Sequence, residues 1–333
     1  MTIGIGRRQF IFALGGATVA WPLSARGQKP MPQIGVLMGY DKDDPAVRAS
    51  IAGLREGLEQ FGWTGGRNIQ IQYRYGGGDV DRIRAYAQEL VGLKPDVLLA
   101  DTTASAIALL RETQTTPIVF VSVTDPVEID LVDSLAQPGR NITGFTDFEF
   151  AMGGKWLQLL KEVSPSLTQV GVLFNPGTAA GHGIFFLQSI EAAAPTLAVK
   201  IIPAPVNDVV EIERVIAEIA SEPGSGLVIA IDAYTMVHRE LIISQVAAHR
   251  LPAVYPLRPF AASGGLISFG ADIADMAKRA ATYLDRIIRG TKAADLPVQE
   301  PTKFELVINL KTAKALGLTV PQTLLVTADD VIE

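Results

Sequence analysis

The chain has 333 residues, 48% of them hydrophobic and 19% charged, with a formal net charge of −6 and no cysteine. A single core stops growing at roughly 250–300 residues, so the length favours two lobes over one. The missing cysteines exclude disulfides, thiolate chemistry and a lipoprotein anchor, and an acidic chain without basic clusters argues against nucleic-acid binding, which relies on phosphate neutralisation by Lys and Arg.

The first residues read as an address. Arg7-Arg8-Gln9-Phe10 precedes an uncharged, largely apolar stretch to Leu23 that ends at small residues near Ala25-Arg26-Gly27, the pattern of a signal peptide over residues 1–27. The stretch is shorter than the roughly 20 residues that span a bilayer, and Gly15, Gly16 and Pro22 interrupt it. Paired arginines fit a twin-arginine-like export route and a Sec route alike, and both lead to the periplasm. Residues 1–27 hold three arginines and no acid, so cleavage there takes the formal charge from −6 to −9.

From Gln33 onward, short runs rich in Val and Ile alternate with stretches of helical spacing, the signature of βαβ units and a parallel sheet. Strands are expected at Gln33–Gly39, Asn68–Tyr75, Asp96–Asp101 and Ile118–Val123, with helices at Pro45–Phe61 and Asp79–Leu93. The pattern then restarts, with strands at Gln169–Asn175, Val199–Val206, Leu227–Asp232 and Ala253–Tyr255 and helices at Gly183–Ala194, Asp208–Ala220 and Val237–Arg250. Three pairs of segments match between the halves: Gln33–Gly39 with Gln169–Asn175, Asp96–Asp101 with Leu227–Asp232, and Pro117–Phe120 with Pro252–Tyr255. Matches in order at nearly constant offset point to an internal repeat.

The expected fold class is therefore α/β, two doubly wound parallel-sheet lobes joined by a multi-strand hinge. Asn141–Thr146 and Gly264–Gly270 have the extended, glycine-bearing character of hinge segments. A helix over Ile273–Arg289, capped by Asp272 and stopped by Gly290, returns to the first lobe. Phe304–Asn309 is a candidate third crossover. The expected division is residues 28–143 plus about 270–300 for lobe 1, and residues 144–269 plus about 301–333 for lobe 2.

The usual catalytic motifs are missing: no Gly-x-Ser-x-Gly, no Walker loop, no His-Glu-x-x-His and no Gly-x-Gly-x-x-Gly after the first strand. The reading is of a protein that is not an enzyme and that carries no cofactor and no metal. His182, His238 and His249 read as surface or capping residues, and Gly76-Gly77-Gly78 as a turn. The strand ends instead offer small polar side chains where open α/β sheets bind ligands. Thr102 and Thr103 follow the third strand, and Ser122, Thr124 and Asp125 close the fourth; their hydroxyls and the adjoining helix amides suit a carboxylate, or simply cap helices. In the second half, Asn175 and Asp232 stand at matching places. Asp232 suits an ammonium group, or caps the helix near Thr235. Tyr40, Phe145, Tyr234 and Tyr255 can wall a ligand or serve as packing.

Four stretches carry a family resemblance: Ala46–Asn68, Pro117–Pro126, Gln137–Gly144 and Pro297–Leu318. Through them the chain, from about Gln33 to Glu333, resembles the ABC-transporter substrate-binding family that includes the TrpX-type tryptophan- and phenylalanine-binding proteins. The resemblance implies the type I periplasmic-binding-protein fold, three crossovers, no catalysis, and a monomer that hands its small-molecule ligand to an ABC permease in the inner membrane. It also implies ligand contacts from Gly39, Tyr40, Thr102, Thr103, Ser122, Thr124, Asp125, Asn175 and Asp232. Where relatives have Asn-Pro and a polar residue, this chain has Asn175-Pro176-Gly177 leading into a glycine-rich loop to Gly183, so the resemblance does not fix the ligand. The same bilobed architecture also suits a sensory protein presenting its ligand to a receptor kinase or chemoreceptor.

Overall fold

The computed structural model describes Met1 and residues 31–333; the signal peptide read over residues 1–27 lies outside the described residues, Met1 apart. In chain order the first half contributes β1 (Gln33–Met38), α1 (Pro45–Gln60), β2 (Gln70–Tyr75), α2 (Val80–Gly92), β3 (Val97–Ala100), α3 (Thr103–Glu112), β4 (Ile118–Val123) and β5 (Ile142–Thr146). These strands form one parallel sheet in the order β2-β1-β3-β4-β5.

The chain then runs through α4 (Ala151–Val163), β6 (Gln169–Phe174), α5 (Ile184–Leu197), β7 (Lys200–Pro205), α6 (Val209–Ala220), β8 (Ser225–Ile229), α7 (Ala233–Val237), α8 (Arg239–Ala248), β9 (Ala253–Tyr255), α9 (Arg258–Ala262) and β10 (Ile267–Ala271). After α10 (Ile273–Ile288) come β11 (Phe304–Asn309), α11 (Leu310–Leu316), α12 (Gln322–Thr327) and β12 (Asp330–Ile332). The second sheet has the order β12-β11-β10-β9-β8-β6-β7. Without β11 and β12 at one end, its order is that of the first sheet. The three matched sequence pairs fall on β1 and β6, β3 and β8, and β4 and β9, which hold equivalent places in the two sheets.

Local chemistry sets the element ends. Asp44, Asp79, Asp208 and Asp272 each accept a first-turn amide from the helix that follows, replacing partners that the helix itself cannot supply. The strand expected from Asn68 begins at Gln70 because Asn68 closes a turn instead, its Nδ2 donating to Gly62 O at 2.8 Å and its Oδ1 accepting from Thr64 N at 2.7 Å. The helix expected over Val237–Arg250 is two helices, broken at His238, whose ψ of 16° leaves the helical range.

Three segments cross between the sheets. Both expected hinge segments are strands: β5 ends the first sheet and β10 belongs to the second. Past β5 the chain enters α4, whose buried Trp156 donates its Nε1–H to Phe269 O in β10 at 2.7 Å. Past β10 it enters α10, which packs along α1. The third crossing corrects the sequence expectation. Phe304–Asn309 lies wholly in the second sheet, antiparallel to β10, and the chain crosses just before it. Gln299 still pairs with β5, donating to Gly144 O and accepting from Thr146 N at 2.9 Å each.

Candidate functional site: a cleft between two switch points

In each sheet the strand order reverses once, between β1 and β3 and between β6 and β8. The crevice beyond the strand ends at such a point is where doubly wound sheets bind ligands. Both points are built alike here. Asp101, just past β3, accepts the amide of Gly39, just past β1, at 2.5 Å. Asp232, past β8, accepts the amide of Asn175, past β6, at 3.0 Å. A Cβ on Gly39 would lie 2.6 Å from Thr102 Oγ1, so only glycine lets these two strand ends close up.

Around the first point Thr103 Oγ1 accepts Thr124 N at 3.3 Å, and Thr124 Oγ1 donates to Asp147 Oδ1 at 2.8 Å. Thr102 caps α3 through Ser105 N. Ser122 and Asp125 hold positive φ angles of 55° and 39°, a costly conformation for residues with a Cβ. Asp125 spends Oδ1 on the amide of Glu128. Among the described residues, three buried polar atoms on these strand ends have no hydrogen-bond partner: Ser122 Oγ, Thr146 Oγ1 and Asp147 Oδ2.

The second point is fully engaged. Asp232 Oδ1 accepts Thr235 N at 2.7 Å and Thr178 Oγ1 at 3.0 Å, in addition to the Asn175 amide on Oδ2. Asp232 is thus the cap of α7 and the tie between two loops. Asn175 likewise folds its own loop, with Nδ2 donating to Val206 O and Oδ1 accepting from Gly177 N and Thr178 N.

Tyr40 is buried, and Asp44, Asp101, Asp147 and Asp232 all stand close enough to act on its hydroxyl. Burial, then these four carboxylates, hold its pKa well above the usual phenol value. Burial likewise pushes Asp101 up to about 7 and both Asp147 and Asp232 up to about 6, against the hydrogen bonds that favour their ionised forms. At the mouth, Tyr234 lies against His238, 4.3 Å between ring centres. A groove of about 470 Å³ there is lined from both lobes, by Gly77, Gly78 and Val80 on one side and Asn175, Asn207 and Tyr234 on the other.

Gly39, Tyr40, Thr102, Thr103, Ser122, Thr124, Asn175, Asp232 and Tyr234 therefore gather at the facing strand ends, with Asp125 on the turn beside them. Phe145 and Tyr255 do not. Phe145 packs on Tyr283 of α10 beneath the Arg279 guanidinium, and Tyr255 stacks on Phe260 in the second lobe; both aromatic rings are spent on the core. The sequence reading missed Asp147, Thr146 and Thr178. Asp147 had a weak signal: an acid placed directly after the hinge segment Asn141–Thr146, where a buried carboxylate either costs several kcal/mol or has a partner.

A family model described as ABC transporter substrate binding protein matches residues 37–332. The chain belongs to this family. A curated relative, the tyrosine-binding protein of Clostridioides difficile, is 27% identical over 278 residues, covering 83% of this chain and 79% of that one. Among solved structures, this substrate-binding protein is similar to a conserved domain protein from Vibrio cholerae, with a TM-score of 0.84 and 28% identity over 90% of this chain and 99% of that one. It is also similar to a domain from Streptococcus pneumoniae solved in complex with L-Trp, with a TM-score of 0.83 and 24% identity over the same shares. Among the described residues, no helix of the substrate-binding protein is long and apolar enough to cross a membrane.

Proposed function

We propose that this substrate-binding protein binds an α-amino acid between its lobes, in the periplasm after export, and delivers it without turnover to an ABC permease. The observation that carries the ligand class is Asp147 Oδ2, a buried carboxylate oxygen without a donor in a cleft where Asp101 and Asp232 are also buried. An uncompensated buried carboxylate is expensive, and a ligand ammonium removes that cost while making charge-assisted hydrogen bonds. The ammonium is assigned to Asp147 rather than Asp232, whose oxygens already hold three protein donors. Ser122 Oγ and Thr146 Oγ1 are the other unpartnered groups on these strand ends. With the first-turn amides of α3, they suit the ligand carboxylate. The tyrosine-binding relative and the tryptophan-bound neighbour support an aromatic side chain, with Tyr40 and Tyr234 as walls.

The test is a thermal-shift screen of protein stripped of co-purified ligand against amino acids, aromatic acids lacking the amino group, and sugars. At about 100 times Kd a ligand adds roughly 2.7 kcal/mol to stability. A shift with aromatic amino acids but not with their deaminated analogues supports the reading. A shift with sugars alone overturns the amino-acid assignment and leaves the family membership intact.

A further inference from the structure

Asp44 stands at the N-cap of α1, in the lobe of the first sheet, and Arg239 opens α8, which packs beside α6 on the second sheet. Arg239 Nη1 donates to Asp44 Oδ2 across the cleft, with side-chain exposures of only 10% and 6%. We propose that this ion pair is an interlobe latch, formed when the lobes close and broken when they part, so that the lobes close over ligand only when each of the two charges finds the other. The inference rests on the closure reading above and not on the ligand class.

The geometry separates the latch from ordinary structural roles. Asp44 caps α1 with its other oxygen, Oδ1, which accepts Ala46 N at 2.7 Å. That bond lies within one lobe and survives opening. Arg239 Nη1 also donates to Met236 O within its own lobe, and its buried Nε has no partner. The guanidinium is therefore incompletely satisfied, and among the described residues only Asp44 balances its charge. Beside the pair the lobes touch closely: a Cβ on Gly78 would lie 3.2 Å from Val237 Cγ2 and 3.3 Å from Ala233 O. Open lobes would return both charges to water.

A buried pair roughly breaks even against its own desolvation, whereas removing one partner strands a charge and is strongly unfavourable. The latch thus predicts a signature that simple attraction does not. D44N, which retains a capping oxygen, and R239Q each weaken ligand affinity by about a hundredfold, and the double variant D44N/R239Q regains most of the loss, because neither charge remains to strand.

The experiment is a double-mutant cycle on Kd for L-tyrosine and L-tryptophan, with spin labels at Q60C and E213C, one on each lobe of a chain that has no native cysteine. Supporting results are a loss of the short interlobe distance in each single variant under saturating amino acid, its return in the double variant, and ligand-free melting temperatures that stay together. Single variants with unchanged Kd and distance, or losses that simply add in the double variant, overturn the latch. If the wild-type protein answers neither amino acid, the amino-acid reading fails separately. The latch is then read without ligand, by paramagnetic relaxation from a label at E213C that reports the minor closed population. Its disappearance in R239Q supports the latch, and an unchanged profile overturns it.

Discussion

Thr124 donates its hydroxyl to Asp147 Oδ1 at 2.8 Å, so that one oxygen of a fully buried carboxylate is satisfied and the other is not. This half-satisfied state fits a group waiting for a cation. D147N keeps the shape and removes the charge. It is expected to weaken L-tyrosine binding by tenfold or more, the value of a hydrogen bond to a charged group, about 1.5–3 kcal/mol. Ligand-free stability should stay level or rise, since a buried charge is lost. Isothermal titration with urea unfolding of the same samples checks both; unchanged affinity removes Asp147 from the site.

The pH dependence has opposite signs with and without ligand. Burial raises Asp101 to about 7 and Asp147 and Asp232 to about 6, above the unfolded value of about 3.9. Between those limits the native state holds more protons than the unfolded chain. Ligand-free stability therefore falls as pH rises from about 4 to 7, by at most about 1.4 kcal/mol per pH unit for each group, and then levels off. An ammonium ligand needs Asp147 ionised, so the shift that L-tyrosine produces should grow as pH rises through about 6. Melting curves at pH 5 and pH 7.5, with and without L-tyrosine, test both signs.

Asp232 ties the second lobe's loops rather than waiting for a partner. D232A strands the amides of Asn175 and Thr235, while the Thr178 hydroxyl keeps Asn175 Oδ1 as an acceptor. An unfolding free energy lower by about 2–4 kcal/mol is expected, where D147N shows no such loss. Urea denaturation of the two ligand-free variants separates the roles.

Gly78 has a φ of 74° and meets α7 across the cleft. G78A pays about 1–2 kcal/mol of backbone strain in any state, and its methyl group also wedges the closed lobes. Affinity for L-tyrosine should fall while ligand-free stability changes only by the strain; equal loss in both would show that the methyl group does not act on closure.

Much of this protein was determined by its sequence alone. Short Val- and Ile-rich runs and period-3.6 stretches state which segments are strands and helices, because the central strands of a parallel sheet are buried on both faces and the helices on one. The near-constant offset of three matched segments, Gln33–Gly39 with Gln169–Asn175 among them, encodes two like sheets. The clustering of Thr102, Ser122 and Asp232 at strand ends was legible too, since a parallel sheet brings the ends of its strands together. Only the tertiary structure decided which polar atoms are left over. Asp232 and Asp147 look alike in sequence, but three donors from distant loops satisfy one, and a single hydroxyl half-satisfies the other. Phe145 and Tyr255 turned inward for a similar reason, as α10 and α9 supply their rings with partners. The pairing of Asp44 with Arg239, 195 residues apart, depends on how two sheets with their helices meet, and no local pattern of spacing encodes a contact between surfaces so distant in the chain.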